Sequence, residues 1–188
     1  MREAEEQGSR REQIMATAMA LFLTRGYDRT ALREIATSMS LSKSGLYHHF
    51  GAKEDLLGAL LEPLLDKVDA LLADTPPTLT TASEQETFLT AYVQTLLDHR
   101  QAVALLFRDS AVRTVPLIAK RLTHVNDQLH ARLARSDDRL SALARAAYVL
   151  SGLQGLIVNL TEHPPDQVRD AGVNLAMASL ARGRSRTR

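Results

Sequence analysis

The chain has 188 residues, 45% of them apolar and 24% charged, which allows one or two small domains with a real core and excludes wholesale disorder. Its formal net charge is +1 and it has no cysteine, so disulfides and thiolate chemistry are excluded and a zinc site would have only His and carboxylates to draw on. The N-terminus MREAEEQGSR is charged rather than signal-like, and no run approaches about 18 apolar residues, so the expectation is a soluble cytoplasmic protein with no membrane partner.

In chain order, residues 1–8 read as a frayed tail. Ser9 and Glu12 fit a capping box, and the helix they start turns Ile14, Ala18, Leu21 and Phe22 inward. It stops at Gly26, a left-handed C-cap. Thr30 reads as the cap of the next helix, whose Leu32, Ile35, Ala36 and Met39 fall at i, i+3, i+4 and i+7. Leu41 is an apolar peg in the turn. Ser42 caps a third helix with Leu46 and Phe50 on its inward side. Two short helices joined this tightly form a helix-turn-helix, which lays its second helix into a DNA major groove.

At about 100° per residue, Ser44, Gly45, Tyr47 and His48 point away from the Leu46–Phe50 side. Gly45 allows close approach, Tyr47 can bond a phosphate, and Lys43 can reach a phosphate or a guanine edge. Gly51 and Lys53 open a long helix, where backbone N–H groups and a lysine make a phosphate seat. From Gly8 to Lys53 there are seven Lys/Arg against three Asp/Glu, a local charge of +4. The positive excess of a nearly neutral chain thus sits on the motif.

These residues resemble the tetracycline-repressor (TetR) family of transcriptional regulators. The pattern is carried by Thr30, Ile35–Ala36, Leu41–Ser42, Leu46–Tyr47, His49–Phe50, Lys53 and Leu56–Leu57, with Phe22 and Gly26–Tyr27 upstream. The resemblance covers residues 9–60. It implies that Arg33 probes bases from the first helix of the motif, that Lys43, Ser44 and Gly45 face bases, and that Tyr47, His49 and Lys53 hold phosphates. Thr30, Ser42 and His48 complete the candidate DNA surface. Two positions depart from the family: Ser40 stands where it usually has the turn glycine, and Met39 where it usually has alanine.

Ala52 to Asp74 reads as one long leucine-rich helix, with Pro63 inside it predicting a kink. Thr75 to Ala82, TPPTLTTA, is a surface loop. Ser83 and Glu86 make a second capping box for a helix to Leu97. Asp98 begins another that fades near Ser110. Thr114 and Pro116 start a helix to Arg135. Asp137 and Asp138 suit the first turn of a helix reaching Thr161. Pro164 and Pro165 open the last helix, to Ala181, and the tail 182–188 carries four arginines. No segment alternates as a strand would. The expected fold is all-α with about nine helices. A helix-turn-helix head at 9–51 precedes a ligand-binding and dimerisation body at 52–181.

The helix near 138–161 is apolar over a wide arc and carries the small residues Ser151, Gly152 and Gly155. Such a helix is central to its own domain or shared with a partner. Sharing is favoured: Leu143, Ala147, Leu150, Gln154 and Ile157, with Val168, Ala171 and Leu175 of the last helix, would build a two-fold four-helix bundle. The resemblance implies the same homodimer. Polar and aromatic residues on apolar faces are the effector candidates: Tyr92, His99, Phe107, Arg108, Gln128, Tyr148 and Gln154. The resemblance fixes none of these.

His124, Asp127 and His130 suggest a metal only pairwise, since His124 and His130 lie about 240° apart on a helix. No metal and no cofactor is expected. Gly-rich phosphate loops, HExxH and G-x-S-x-G are absent from the sequence, so an enzyme is not expected. The resulting expectation is a TetR-like repressor, dimeric on a pseudo-palindromic operator and released by an unidentified small molecule. The alternative is an α-helical small-molecule-binding protein or interaction adaptor without DNA-binding function.

Overall fold

The computed structural model describes residues 2–134 and 139–181, with side chains for all of these except 2–7, 43 and 139. The expected first turn at Asp137 and Asp138, the end at Arg135 and the arginine tail lie outside that range. Among the described residues there are ten helices and no strand.

Helix α1 runs Arg2–Arg25. It begins well before Ser9, which lies inside the helix rather than capping it. The segment Glu3–Gln7 is made of strong helix formers with no proline or β-branched residue, and this outweighs the local capping pattern. Helix α2 is Leu32–Ser38 and α3 is Lys43–His49. The N-cap of α2 is Ala31, one residue later than expected. Its amide donates to Glu34 Oε2 at 2.7 Å. Thr30 instead turns its hydroxyl back to the Gly26 carbonyl at 2.9 Å, closing the exit from α1.

Helix α4, Lys53–Asp74, continues through Pro63. Helix α5, Ala82–Asp98, is capped by Thr81 rather than Ser83. The Thr81 hydroxyl accepts from the Glu84 amide at 3.1 Å. The Glu84 carboxylate accepts from Thr80 N, Thr80 Oγ1 and Thr81 N at 2.6, 2.9 and 2.7 Å. Both candidate boxes satisfy the S/T-x-x-E pattern; the one whose cap follows a second threonine, Thr80, gains the extra donors. Helices α6, Arg100–Arg108, and α7, Ser110–Thr114, make a corner. The short α7 is the helix the sequence count lacked. Helices α8, Pro116–Leu133, α9, Arg139–Asn159, and α10, Pro165–Ala181, complete the chain.

One apolar cluster runs from Ile14 in α1 through α4 to Ala176 in α10. Two arginines of α8 fasten it to α4. Arg121 bridges to Asp66 and to Asp69, the latter at 2.7 Å. Arg132 is only 5% exposed. It donates to the carbonyls of Leu72 and Thr75, capping the C-terminal end of α4. A cation there satisfies carbonyls that the helix itself cannot.

Over Leu140–Asn159, α9 has mean hydropathy 1.3 and is long and apolar enough, by length and composition, to cross a membrane. A search for an unbroken apolar run misses it because Ser151, Gln154 and the glycines interrupt the series. One face of the helix, with Ala146, Leu150, Leu153 and Ile157, is buried in the protein core.

Candidate nucleic-acid interface

The turn between α2 and α3 is built by short-range hydrogen bonds. Leu41 N donates to Ala36 O at 2.9 Å and Ser40 N to Thr37 O at 3.1 Å. This pair of bonds closes the α2 end as a Schellman motif, with Leu41 packed on the core beside it. The motif demands a left-handed residue, and Ser40 supplies it at φ +53°. The departure from the family's glycine therefore keeps the turn's shape, with a side chain in a region that favours glycine.

Ser42 then caps α3, its Oγ accepting from Gly45 N at 3.1 Å. A Cβ on Gly45 would stand 3.2 Å from that oxygen, so the glycine also protects the cap. Leu46 and Phe50 are buried at 1% and 3% exposure. Ser42, Ser44, Tyr47 and His48 are exposed, and Gly45 and His49 are half-buried. Arg33 is exposed on α2. The side chain of Lys43 lies outside the described residues. The structure thus brings Arg33 and the Ser42–His49 face to one end of the molecule.

One expected contact is corrected, and a second is partly engaged within the protein. Thr30 is fully buried at 0% exposure, with its hydroxyl on Gly26, so it shapes the fold and does not meet DNA. Lys53 points back toward the interior. Its Nζ donates to Tyr27 O at 3.0 Å and lies 4.1 Å above the Tyr27 ring. Two of the ammonium's three donors remain for a phosphate. The start of α4 is also less bare than expected, because Ala52 N already donates to Asp55 Oδ2 at 2.9 Å.

Arg11 belongs to the basic excess, and the motif predicts no role for it. Its guanidinium lies 4.9 Å from the centre of the Phe50 ring, placing a cation beside the end of α3. The pairing of Arg11 with Phe50 is a long-range contact that spacing alone does not reveal.

Tyr27 joins this end to the rest. Its amide donates to Asp109 Oδ2 at 2.6 Å, 82 positions away. The other oxygen of Asp109 accepts from Ala111 N at 3.0 Å and caps α7. The Tyr27 ring meets Phe22 edge-on at 5.2 Å. Burial pushes its phenol up to about 12, with the carboxylates of Glu54 and Asp28 adding to the shift. Tyr27 is therefore neutral throughout the ordinary pH range.

Deeper in the body, a cavity of about 430 Å³ opens between α4, α5, α6, α8 and α9. Of the expected effector residues, Tyr92, Phe107 and Gln154 line it. Tyr92 is buried and hydrogen-bonded to Gln154, and burial raises its pKa. The other four do not line it. Arg108 donates to Val158 O at 3.1 Å. Gln128 pairs with His124 at 2.8 Å. His99 caps α6, and Tyr148 is 68% exposed on an outer face. The cavity also takes Arg113, Asn126, His130 and Ser151, which sequence reasoning missed. In sequence His130 suggests a metal ligand, and Arg113 sits on the unexpected α7.

The expected dimer residues divide. Leu150, Ile157 and Val168 are buried in the chain's own core at 4%, 1% and 3% exposure. They are core residues because the inner face of α9 meets α6 and α8 and that of α10 meets α5. Ala147 and Gln154 line the cavity. Leu143, Ala171 and Leu175 are exposed. Leu140 and Tyr148 extend that outer face, and an apolar groove of about 300 Å³ runs between α9 and α10 beside Gly152 and Gly172.

An all-α chain that presents a short polar helix after a tight turn, ahead of a helical body with a cavity, has the architecture of a helix-turn-helix regulator. Residues 14–60 match the sequence profile of the bacterial regulatory proteins of the tetR family. Over this segment, about a quarter of its length, the chain is similar to the TetR family. It is 31% identical over 105 residues to the HTH-type transcriptional repressor KstR2 of Mycolicibacterium smegmatis, covering 56% of this chain and 51% of that one. It is 32% identical over 117 residues to the HTH-type transcriptional activator FasR of the same species, covering 60% and 52%. The chain thus spans about half the length of these curated relatives. In fold it is similar to a TetR-family member from Streptomyces coelicolor A3, with TM-score 0.71 and 22% identity over 88% of this chain and 90% of that one. It is also similar to the ketosteroid transcriptional regulator KstR2 of Mycobacterium tuberculosis, with TM-score 0.66 and 21% identity over 92% and 93%.

Proposed function

We propose that the protein is a cytoplasmic DNA-binding transcriptional repressor, a homodimer on a pseudo-palindromic operator, released by a small molecule held in the body cavity. Residues 9–51 serve as the DNA-reading head and 52–181 as the sensing and dimerising body. The observation that carries the reading is the outward face of α3. Small polar residues and Tyr47 are exposed there, while Leu46 and Phe50 anchor the helix at 1% and 3% exposure. Arg33 flanks that face from α2 and Arg11 reaches its far end.

One head reads few base pairs. Two heads related by a two-fold axis and set about 34–36 Å apart meet successive major-groove faces. The exposed strip of Leu140, Tyr148 and Leu175 supports a two-fold contact through α9 and α10. A ligand releases DNA only if it binds unequally to the head spacing that fits the operator and the one that does not. The corner of α6 and α7 forms part of the cavity region, and its Asp109 holds the Tyr27 amide of the head.

The test is footprinting on the DNA upstream of the protein's own coding region, with a reporter for the direction of control. A protected palindrome and raised expression without the protein are expected. Protection with lowered expression would make it an activator, as FasR is named. No protection at low salt would leave the alternative of a helical binding protein or adaptor.

A further inference from the structure

We propose that the body cavity takes an amphipathic monoanion, an apolar body ending in a carboxylate that pairs with Arg113. The inference rests on the effector reading above and gives it a ligand class.

The size of the cavity, about 430 Å³, falls within the range of ordinary small-molecule sites. Its inner walls are apolar. Leu65, Val68, Val103 and Leu129 are all buried at 4% exposure or less. The buried polar element, the Tyr92 hydroxyl on Gln154, is neutral and already paired. It can accept or donate once more but holds no charge. Two lining side chains can be cationic, Arg113 and His130, and no described Asp or Glu lines the space.

That imbalance selects the ligand. An ammonium would leave water to face a guanidinium with no carboxylate opposite it. A neutral apolar molecule fits the walls and leaves Arg113 unused. A carboxylate matches the planar fork of a guanidinium, which can hold it with two parallel bonds. Arg113 is exposed at the rim, so its charge stays hydrated until the ligand arrives.

Arg113 also has a mechanical position. Its Nη1 donates to the carbonyls of Leu106 and Phe107 at 2.6 and 3.1 Å. Those carbonyls lie in the last turn of α6, just ahead of Arg108 and the C-cap Asp109, whose carboxylate accepts from the Tyr27 amide. The three N–H donors on Nε and Nη2 take no part in these two bonds. A carboxylate that draws the fork toward the cavity competes for the group that closes the corner. The ligand therefore acts at the place where body and head are tied.

The experiment uses the full chain and two matched sets of probes: decanoate, decanol and decylamine, and cyclohexylacetate, cyclohexylethanol and cyclohexylethylamine. Dissociation constants are measured by calorimetry. In at least one set the carboxylate should bind about tenfold or more tightly than its alcohol and its amine. Arg113→Gln should bring the carboxylate down to the alcohol, and Arg113→Lys should restore part of the preference. The proposal is overturned if in both sets the amine or alcohol binds as tightly as its carboxylate, if neither carboxylate binds, or if Arg113→Gln keeps the preference. Should Arg113→Gln fail to fold, the probe series on the wild type and Arg113→Lys decides alone. Operator release is read separately. A carboxylate that binds without releasing DNA sustains the ligand class and ends the release reading. An amine that releases DNA does the reverse.

Discussion

The α2–α3 corner and the α4–α8 seam are held by opposite kinds of interaction. The corner is fixed by bonds that span three to five positions: Gly45 to Ser42, Leu41 to Ala36, Ala31 to Glu34. The seam is fixed by Arg132 on Leu72 and Arg121 on Asp69, separated by 60 and 52 positions. Local bonds let the reading helix keep its shape whatever the body does. Long-range bonds make the body one packed unit whose rearrangement is collective. Under the proposed function, a head that fits a fixed duplex and a body that responds to a ligand would need this difference.

The largest test of the contrast is Arg132→Ala. It removes a buried cation and leaves two carbonyls at the end of α4 without that partner. A loss of about 3 kcal/mol in unfolding free energy is expected, since breaking a buried charged contact costs that much. Denaturant unfolding with an unchanged m-value checks it. Next is Asp109→Ala, which removes both the α7 cap and the tie to Tyr27. A loss of about 1–2 kcal/mol is expected by the same method. Operator affinity in the absence of ligand should fall with it, because the two heads lose a fixed orientation.

A smaller effect of opposite sign is expected from Ser40→Gly. At φ +53° a glycine should relieve strain and stabilise the corner by about 0.5–1 kcal/mol. Thermal unfolding reads it, and an unchanged or lowered midpoint would show that Ser40 is not strained. The smallest effect concerns the cap of α5. Hydrogen bonds from Thr81 and Thr80 pull the Glu84 carboxyl down to about 2 from its ordinary value of 4.5. A depressed folded pKa stabilises fully above about 4.5 and loses that contribution as pH falls toward 2. Glu84→Gln should therefore flatten the acid limb between those values. Hydrogen exchange at Ala82–Gln85 checks this locally.

The same contrast explains what the sequence disclosed. The Ser42 cap and the inward Leu46 and Phe50 depend on neighbours in sequence, so spacing and residue type reveal them, while the special position of Ser40 is visible only through the family resemblance. Thr30 fails by one position because a hydroxyl can cap forward or close a turn backward, and here it bonds back to the Gly26 carbonyl. Lys53 was placed by pattern, but its direction is set by Tyr27, 26 positions away. In the body, periodicity found every long helix but could not sort their faces. Leu150 and Ile157 look alike to a sequence and to a dimer interface, yet α6 and α8 cover them. Arg113 escaped because a five-residue helix gives no periodicity to read.

The most direct measurement is the operator affinity of Tyr47→Ala beside wild type, with sedimentation confirming the same assembly in both. Tyr47 is 44% exposed on α3, so its removal should leave folding intact. A loss of about tenfold or more in affinity, without change in unfolding midpoint or mass, is predicted. Equal affinity of both proteins for the footprinted site would contradict the placement of this helix in the groove.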